Sequence, residues 1–304
     1  MYARITNSLL YNNLQQALNQ TEQSQNQALT EVETGRQVNS PSDDPVAAAL
    51  ASANTSQAAQ ATQYLQNINT INGELQVGDS ALSQAVTTLN QAISVGTEGA
   101  NGGLSDAQRS DVAQQIGQIQ QEMIGIANTT YNGAYIFGGT ATGSPPYAAD
   151  ASQPDGVQYS GNTQTNQVEV APGASVTLNV PGSQIFQNSS GSVFQALQDL
   201  QTALQSNDSG AAQTAVTELG QSLTTLSQQR VFYGSTSDQL TSESNFLNNE
   251  QMNLTQEQTT LVGANLASAI TDLSQAETAR QAILSAGAQI SNTSLLNYLG
   301  TTGG

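Results

Sequence analysis

The chain has 304 residues with no Cys, His, Trp or Lys, and five Arg against 23 acidic residues leave a formal charge of −18. That balance argues against nucleic acid, which needs basic patches to replace phosphate counterions, and against anionic membrane surfaces. Without Cys or His, the usual ligands of zinc and haem and the imidazole base of a Ser or Cys triad are missing, so neither cofactor nor catalytic residue is expected. The first thirty residues are rich in Asn, Gln and Ser and have no apolar core. No cleaved leader is expected, and no run is long enough for a membrane span.

The opening segment reads as a helix from Thr6 to Thr34, closed by Gly35 as a C′ residue. Leu14, Leu18, Thr21, Gln25, Ala28 and Val32 recur in steps of four and three, the rhythm of a seam that packs on another helix. Thr21 and Gln25 weaken it, so the helix is expected to order on assembly rather than alone. The next stretch, Arg36-Gln37-Val38-Asn39-Ser40-Pro41-Ser42-Asp43-Asp44-Pro45, reads as a turned link. A metal or acid–base role for Asp43 and Asp44 is set aside for a helix cap, with Pro45 as the first helical residue.

A second helix is expected from Val46 to about Ser94, with Ile68, Leu75, Leu82 and Leu89 every seven residues and a bend or break near Gly73 and Gly78. Gly96 to Gly103 reads as a loop. Ser105-Asp106-Ala107-Gln108 is a capping-box pattern that opens a third helix, striped by Val112, Ile116, Ile119, Met123 and Ile126 and ending near Asn128. From Tyr131 to about Ser190 the pattern turns to short strands: Ala134–Phe137, Val157–Tyr159, Gln167–Val170 and Ser175–Val180, separated by Gly and Pro turns. Tyr131, Tyr135, Phe137, Tyr147 and Tyr159 are expected as the core of this insertion. Asp150, Asp155 and Asp208 lack calcium-loop spacing.

Helical pattern returns with Val193, Leu197, Leu200 and Leu204 and breaks at Asn207–Gly210. A last helical region of roughly eighty residues, about 120 Å if unbroken, carries Leu240, Leu247, Leu254 and Leu261. Its phase then moves by one residue to Val262, Leu266, Ala269, Leu273, Ala276, Arg280, Ile283, Gly287 and Ile290, a shift that points to a change of packing partner. Gly287 is the weak member of that seam. The Arg280 stem is expected to pack while its guanidinium reaches water, with an ion pair to Glu31, Glu33 or Asp44 as the alternative. The tail, Thr301 to Gly304, is expected to fray.

The fold class is therefore mainly α: an elongated rod of long antiparallel helices formed by the two ends, with a small β-rich insertion. Residues 1–45 and 262–304 are expected to form a terminal coiled-coil assembly region, residues 46–133 and 192–261 a helical rod domain, and residues 134–191 the insertion.

Four features now resemble the bacterial flagellin family, and within it the hook-associated proteins of the hook–filament junction. They are the Thr34-Gly35-Arg36…Asn39-Ser40-Pro41-Ser42-Asp43-Asp44-Pro45 link, the third-helix boundaries at Leu104-Ser105-Asp106 and Ala127-Asn128-Thr129-Thr130, the C-terminal helix, and the ending Ser294-Leu295-Leu296-Asn297-Tyr298-Leu299. The likeness covers roughly residues 5–140 and 210–300. It implies a structural, non-enzymatic adaptor in the extracellular flagellum, exported by the flagellar apparatus with an export chaperone. Its implied partners are another hook-associated protein on the hook side, flagellin on the filament side, and copies of itself in a ring. Flagellin itself, and a secreted coiled-coil binding module, are the alternatives.

Overall fold

Leucines seven residues apart need a partner helix to cover them, and in this chain two long helices cover one another. A computed structural model describes residues 2–188 and 191–300. In chain order the helices are α1 (Tyr2–Thr34), α2 (Pro45–Ala100), α3 (Asp106–Ala127), the single turn α4 (Gly182–Ile185), α5 (Val193–Gln205), α6 (Ser209–Val262) and α7 (Leu266–Gly300). The chain divides into two units, residues 60–249 and residues 1–59 with 250–304, so the divisions fall inside α2 and α6. The expected fraying tail lies outside the described residues.

In the unit of residues 60–249, Ile68, Leu75, Leu82 and Leu89 of α2 are each 1% exposed or less, as are Leu226 and Leu240 of α6. Each such side chain contributes about 1.5–3 kcal/mol of burial. The two helices run antiparallel. Arg230 Nε donates to Asp79 Oδ1 at 2.9 Å, and Ser237 Oγ and Asn72 Oδ1 lie 3.4 Å apart. The helix does not break at Gly73 and Gly78: α2 is continuous from Pro45 to Ala100, and both glycines are seats for rings. The Tyr131 hydroxyl lies over Gly73, and the edge of Tyr233, itself 2% exposed, lies over Gly78. Likewise the expected loop at Gly96 is helix as far as Ala100. A Cβ at Gly96 would lie 2.6 Å from Leu200 Cδ2, and one at Gly99 2.6 Å from Leu204 Cδ2. These glycines admit α5 rather than break α2.

The same substitution should therefore change sign along this unit. Gly78→Ala is expected to cost about 1–3 kcal/mol by overpacking against Tyr233. Gly234→Ala, where a Cβ meets open space on α6, should gain about 0.5–1 kcal/mol from helix propensity. Paired urea melts check both.

The third helix opens as its capping box predicts. Ser105 N donates to Gln108 Oε1 at 2.9 Å, and Gln108 N donates back to Ser105 Oγ at 3.4 Å. Beyond it lie four separate antiparallel strand pairs rather than one sheet. They are β1 (Thr130–Tyr131) with β2 (Ala134–Tyr135), β3 (Tyr147–Ala149) with β4 (Val157–Tyr159), β5 (Gln167–Ala171) with β6 (Ala174–Thr177), and β7 (Gln187–Asn188) with β8 (Gly191–Ser192). The first hairpin turns on Asn132 and Gly133 with φ of 50° and 83°, the left-handed pair that matches strand twist. The expected strand Ala134–Phe137 stops at Tyr135, and Ile136 and Phe137 enter the core at 3% and 0% exposure. The expected strand Ser175–Val180 ends at Thr177, after which Asn179 Nδ2 donates to Gly139 O at 2.9 Å. Of the five aromatics expected as core, Phe137 and Tyr147 are buried, while Tyr131, Tyr135 and Tyr159 are half-buried. Phe186 and Phe194 complete the cluster, with Phe186 5.4 Å from Phe137 and 5.7 Å from Tyr147 between ring centres.

Candidate assembly interface

The other unit is built where the chain's two ends meet. Gly35, at φ 67°, ends α1 and turns the chain outward. Its carbonyl accepts from Ala264 N at 2.9 Å, Gln37 N donates to Val262 O at 2.8 Å, and Arg36 faces Gly263 in an antiparallel bridge. This corrects the expectation of an unbroken final helix: residues 263–265 leave the helix where Val262 O and Ala264 N bond the link instead. A Cβ at Gly263 would strike the Thr259 carbonyl. The one-residue slip at Val262 was the sequence trace of this break.

Beyond the bridge α1 and α7 run antiparallel. Leu14 meets Gly287, Glu22 meets Arg280 and Gly35 meets Ala264, so partners rise on one helix as they fall on the other. Gly287, the weak seam member, is where Leu14 enters: a Cβ there would lie 2.8 Å from Leu14 Cδ2. Ala28, Ala269 and Ala276 are buried, whereas Leu14, Leu18, Thr21, Gln25, Val32, Leu273, Ile283 and Ile290 are half-buried. Leu266 departs from the expected seam. As the first residue of α7, just past the break, it is 48% exposed. Arg280 is exposed as well. Its Nε lies 3.9 Å from Glu22 Oε1, with both side chains nearly half exposed. The partner is thus neither Glu31, Glu33 nor Asp44, and an exposed pair of this kind is worth at most about 1 kcal/mol.

The link is tied down by its own polar groups. Asp44 Oδ1 accepts from Val46 N at 2.9 Å and Ala47 N at 3.0 Å, capping α2 behind Pro45. Asp43, expected to share that cap, closes the link instead: its Oδ2 accepts from Ser40 N at 2.8 Å and Asn39 N at 3.0 Å. Asn39 Nδ2 donates to Arg36 O at 2.7 Å, while Pro41 stands exposed at the turn. Beneath, Val38, Ala47, Ala51 and Val262 form a small core that the heptad reading missed.

Asp44→Ala should cost about 1 kcal/mol of α2 N-terminal stability, read as faster amide exchange at Val46 and Ala47. The amides of Ser40 and Asn39 hold the Asp43 carboxyl below its ordinary value. A depressed carboxylate stabilises the fold above its unfolded pKa and loses that contribution as pH falls through the folded pKa. NMR titration of the Ser40 and Asn39 amides should therefore show a midpoint below that of a free aspartate.

The terminal unit is incompletely covered. Of the twelve large apolar side chains that stand exposed among the described residues, ten lie in it: Leu9, Leu10, Tyr11 and Leu29 on α1, Val46 and Leu50 on α2, Met252 on α6, and Leu266, Ile270 and Leu284 on α7. Between α1 and α7 runs a groove of about 560 Å³, walled by small and polar residues including Ala17, Thr21, Ser24, Ala276 and Ala279. Among the described residues no three carboxylates converge as a metal site, and no helix is long and apolar enough to cross a membrane.

Known proteins share this plan. Flagellar hook-associated protein 3 of Escherichia coli (strain K12) is 31% identical over 157 residues, 51% of this chain and 48% of that protein. The chain thus spans about half the length of the curated relatives it matches. Among solved structures, a flagellar hook-associated protein from Vibrio parahaemolyticus superposes with a TM-score of 0.67 at 18% identity, over 72% of this chain and 99% of that one. A flagellar junction protein from Legionella pneumophila gives 0.60 at 15% identity, over 70% and 100%; at these identities the likeness is one of fold. The bacterial flagellin N-terminal helical region matches residues 5–142 and the C-terminal helical region residues 216–299. With both ends matched, in order, around an unmatched middle, the chain belongs to the bacterial flagellin family.

Proposed function

We propose that the chain is a structural adaptor at the junction of hook and filament in a bacterial flagellum, with another hook-associated protein on one side and flagellin on the other. The observation that carries this reading is the under-covered terminal unit. A half-buried, polar-containing α1–α7 seam beside exposed apolar side chains is what helices show when part of their burial comes from neighbours in an assembly. The names of the relatives point to the same place. In this reading copies of the chain form a ring, and the chain arrives through the flagellar export apparatus with a chaperone. Its work is done by contact, not catalysis.

The test is to offer the purified chain to hooks from the parent bacterium deleted for it, with electron microscopy of the products and limited proteolysis of the unassembled fraction. Short caps on hooks, with protease-sensitive α1 and α7 in the free chain, are expected. Long filaments of this chain alone would make it a filament subunit. A free monomer with resistant ends and no capping would remove both readings.

A further inference from the structure

Among the arginines whose side chains are described, Arg36 stands apart. Arg230 holds Asp79, Arg280 lies near Glu22, and buried Arg109 donates to the Leu104 carbonyl at 3.2 Å. Among the described residues Arg36 has no carboxylate within ion-pair distance, although acidic groups outnumber basic ones by 23 to five. Its backbone is fixed on both sides by the Gly263 bridge and by the bond from Asn39, so the guanidinium is presented from a rigid base. Arg36 sits at a pocket of about 170 Å³ whose walls include Val38, Ala48, Ser52 and Gln258. Gln258, one of those walls, has a buried Oε1 with no hydrogen-bond partner. A carboxamide can turn to offer its NH₂ instead, so two of the residues that line this small cavity, Arg36 and Gln258, carry donor groups.

We infer that the Arg36 pocket receives an acidic side chain from a second copy of this chain in the assembled ring, an inference that rests on the adaptor reading. The volume suits one side chain, and the donors suit a carboxylate, which Arg binds with two parallel bonds. Charge complementarity selects the occupant: every neighbouring copy brings 23 carboxylates, and desolvated Arg anchors are characteristic of interface centres.

The chain's composition makes the test specific. It contains no Lys, so in Arg36→Lys the only amines are the new one and the N-terminus. A carbodiimide, which joins an amine to a carboxylate in direct contact, is applied to hook-capping particles of Arg36→Lys, and the products are mapped by mass spectrometry. The wild-type chain sets the N-terminal background, and Arg280→Lys supplies an in-chain reference through Glu22. A covalent dimer linking the amine introduced at position 36 to a carboxylate of another copy, lost in Arg36→Gln, is the expected result. Normal capping without that dimer, or a link only to the same chain, to flagellin or to another hook-associated protein, overturns the inference and leaves the adaptor reading standing. Failure of the wild-type chain to cap hooks overturns both.

Discussion

Phe186→Ala is expected to destabilise the unit of residues 60–249 by about 3–5 kcal/mol. Phe186 is fully buried, and its ring touches those of Phe137, Tyr147 and Phe194 at centre distances of 5.4, 5.7 and 6.0 Å. Truncation removes the apolar surface and the edge-on ring contacts together. It also opens a cavity beside the ring of Tyr147, whose hydroxyl is buried without a partner. Urea unfolding followed by near-ultraviolet circular dichroism measures the loss, because nine Tyr and no Trp leave tyrosine as the reporter. A loss below about 1 kcal/mol would mean that the four small hairpins hold the insertion without this cluster. A conservative Phe186→Leu should recover most of the stability.

Gly263→Val is expected to act on the other unit. The new side chain would meet the Thr259 carbonyl, backbone that cannot rotate aside, at a cost of about 2–3 kcal/mol. Relief would come by moving residues 263–265 off the link, with loss of the bonds to Gly35 and Gln37. Since about 1.4 kcal/mol is tenfold in an equilibrium, closed α1–α7 pairs should fall by roughly 30- to 140-fold. The expected result is loss of hook capping with the melting of residues 60–249 unchanged. Normal capping by this variant would show that the bridge between Arg36 and Gly263 is dispensable.

Local chemistry was legible in the residues. The caps at Ser105 and Asp44, the C′ glycine at position 35 and the seven-residue spacing from Ile68 to Leu89 each depend on neighbours within a turn or two. Features set by distant partners were not. Gly73, Gly78, Gly96 and Gly99 look alike as helix weakeners, and only the rings and leucines of other elements reveal them as seats. The break at 263–265 carries one glycine and a one-residue change of phase; the bonds that enforce it come from residues 35–37, more than two hundred positions away. Asn132-Gly133 is a strong hairpin signal, but it joins strands of only two residues each, so no alternating pattern flanks it. Between α1 and α7, periodicity names Ala28, Ala269 and Ala276, which are buried, beside others that are half-buried. The exposure of Leu266 and the choice of Glu22 for Arg280 were not, because both follow from where α7 begins relative to α1.

The pairing of Leu14 with Gly287 also fixes an order of events. Each hairpin joins residues no more than twelve positions apart, and α3 meets α5 within about a hundred residues, but α1 must wait for α7. A chain delivered N-terminus first therefore completes its middle while α1 is still without a partner. Closing so long a loop adds only a logarithmic entropy cost, so the delay is one of arrival rather than of stability. For that interval the first helix is without its partner, and the thirty-five residues of α7 are what it waits for.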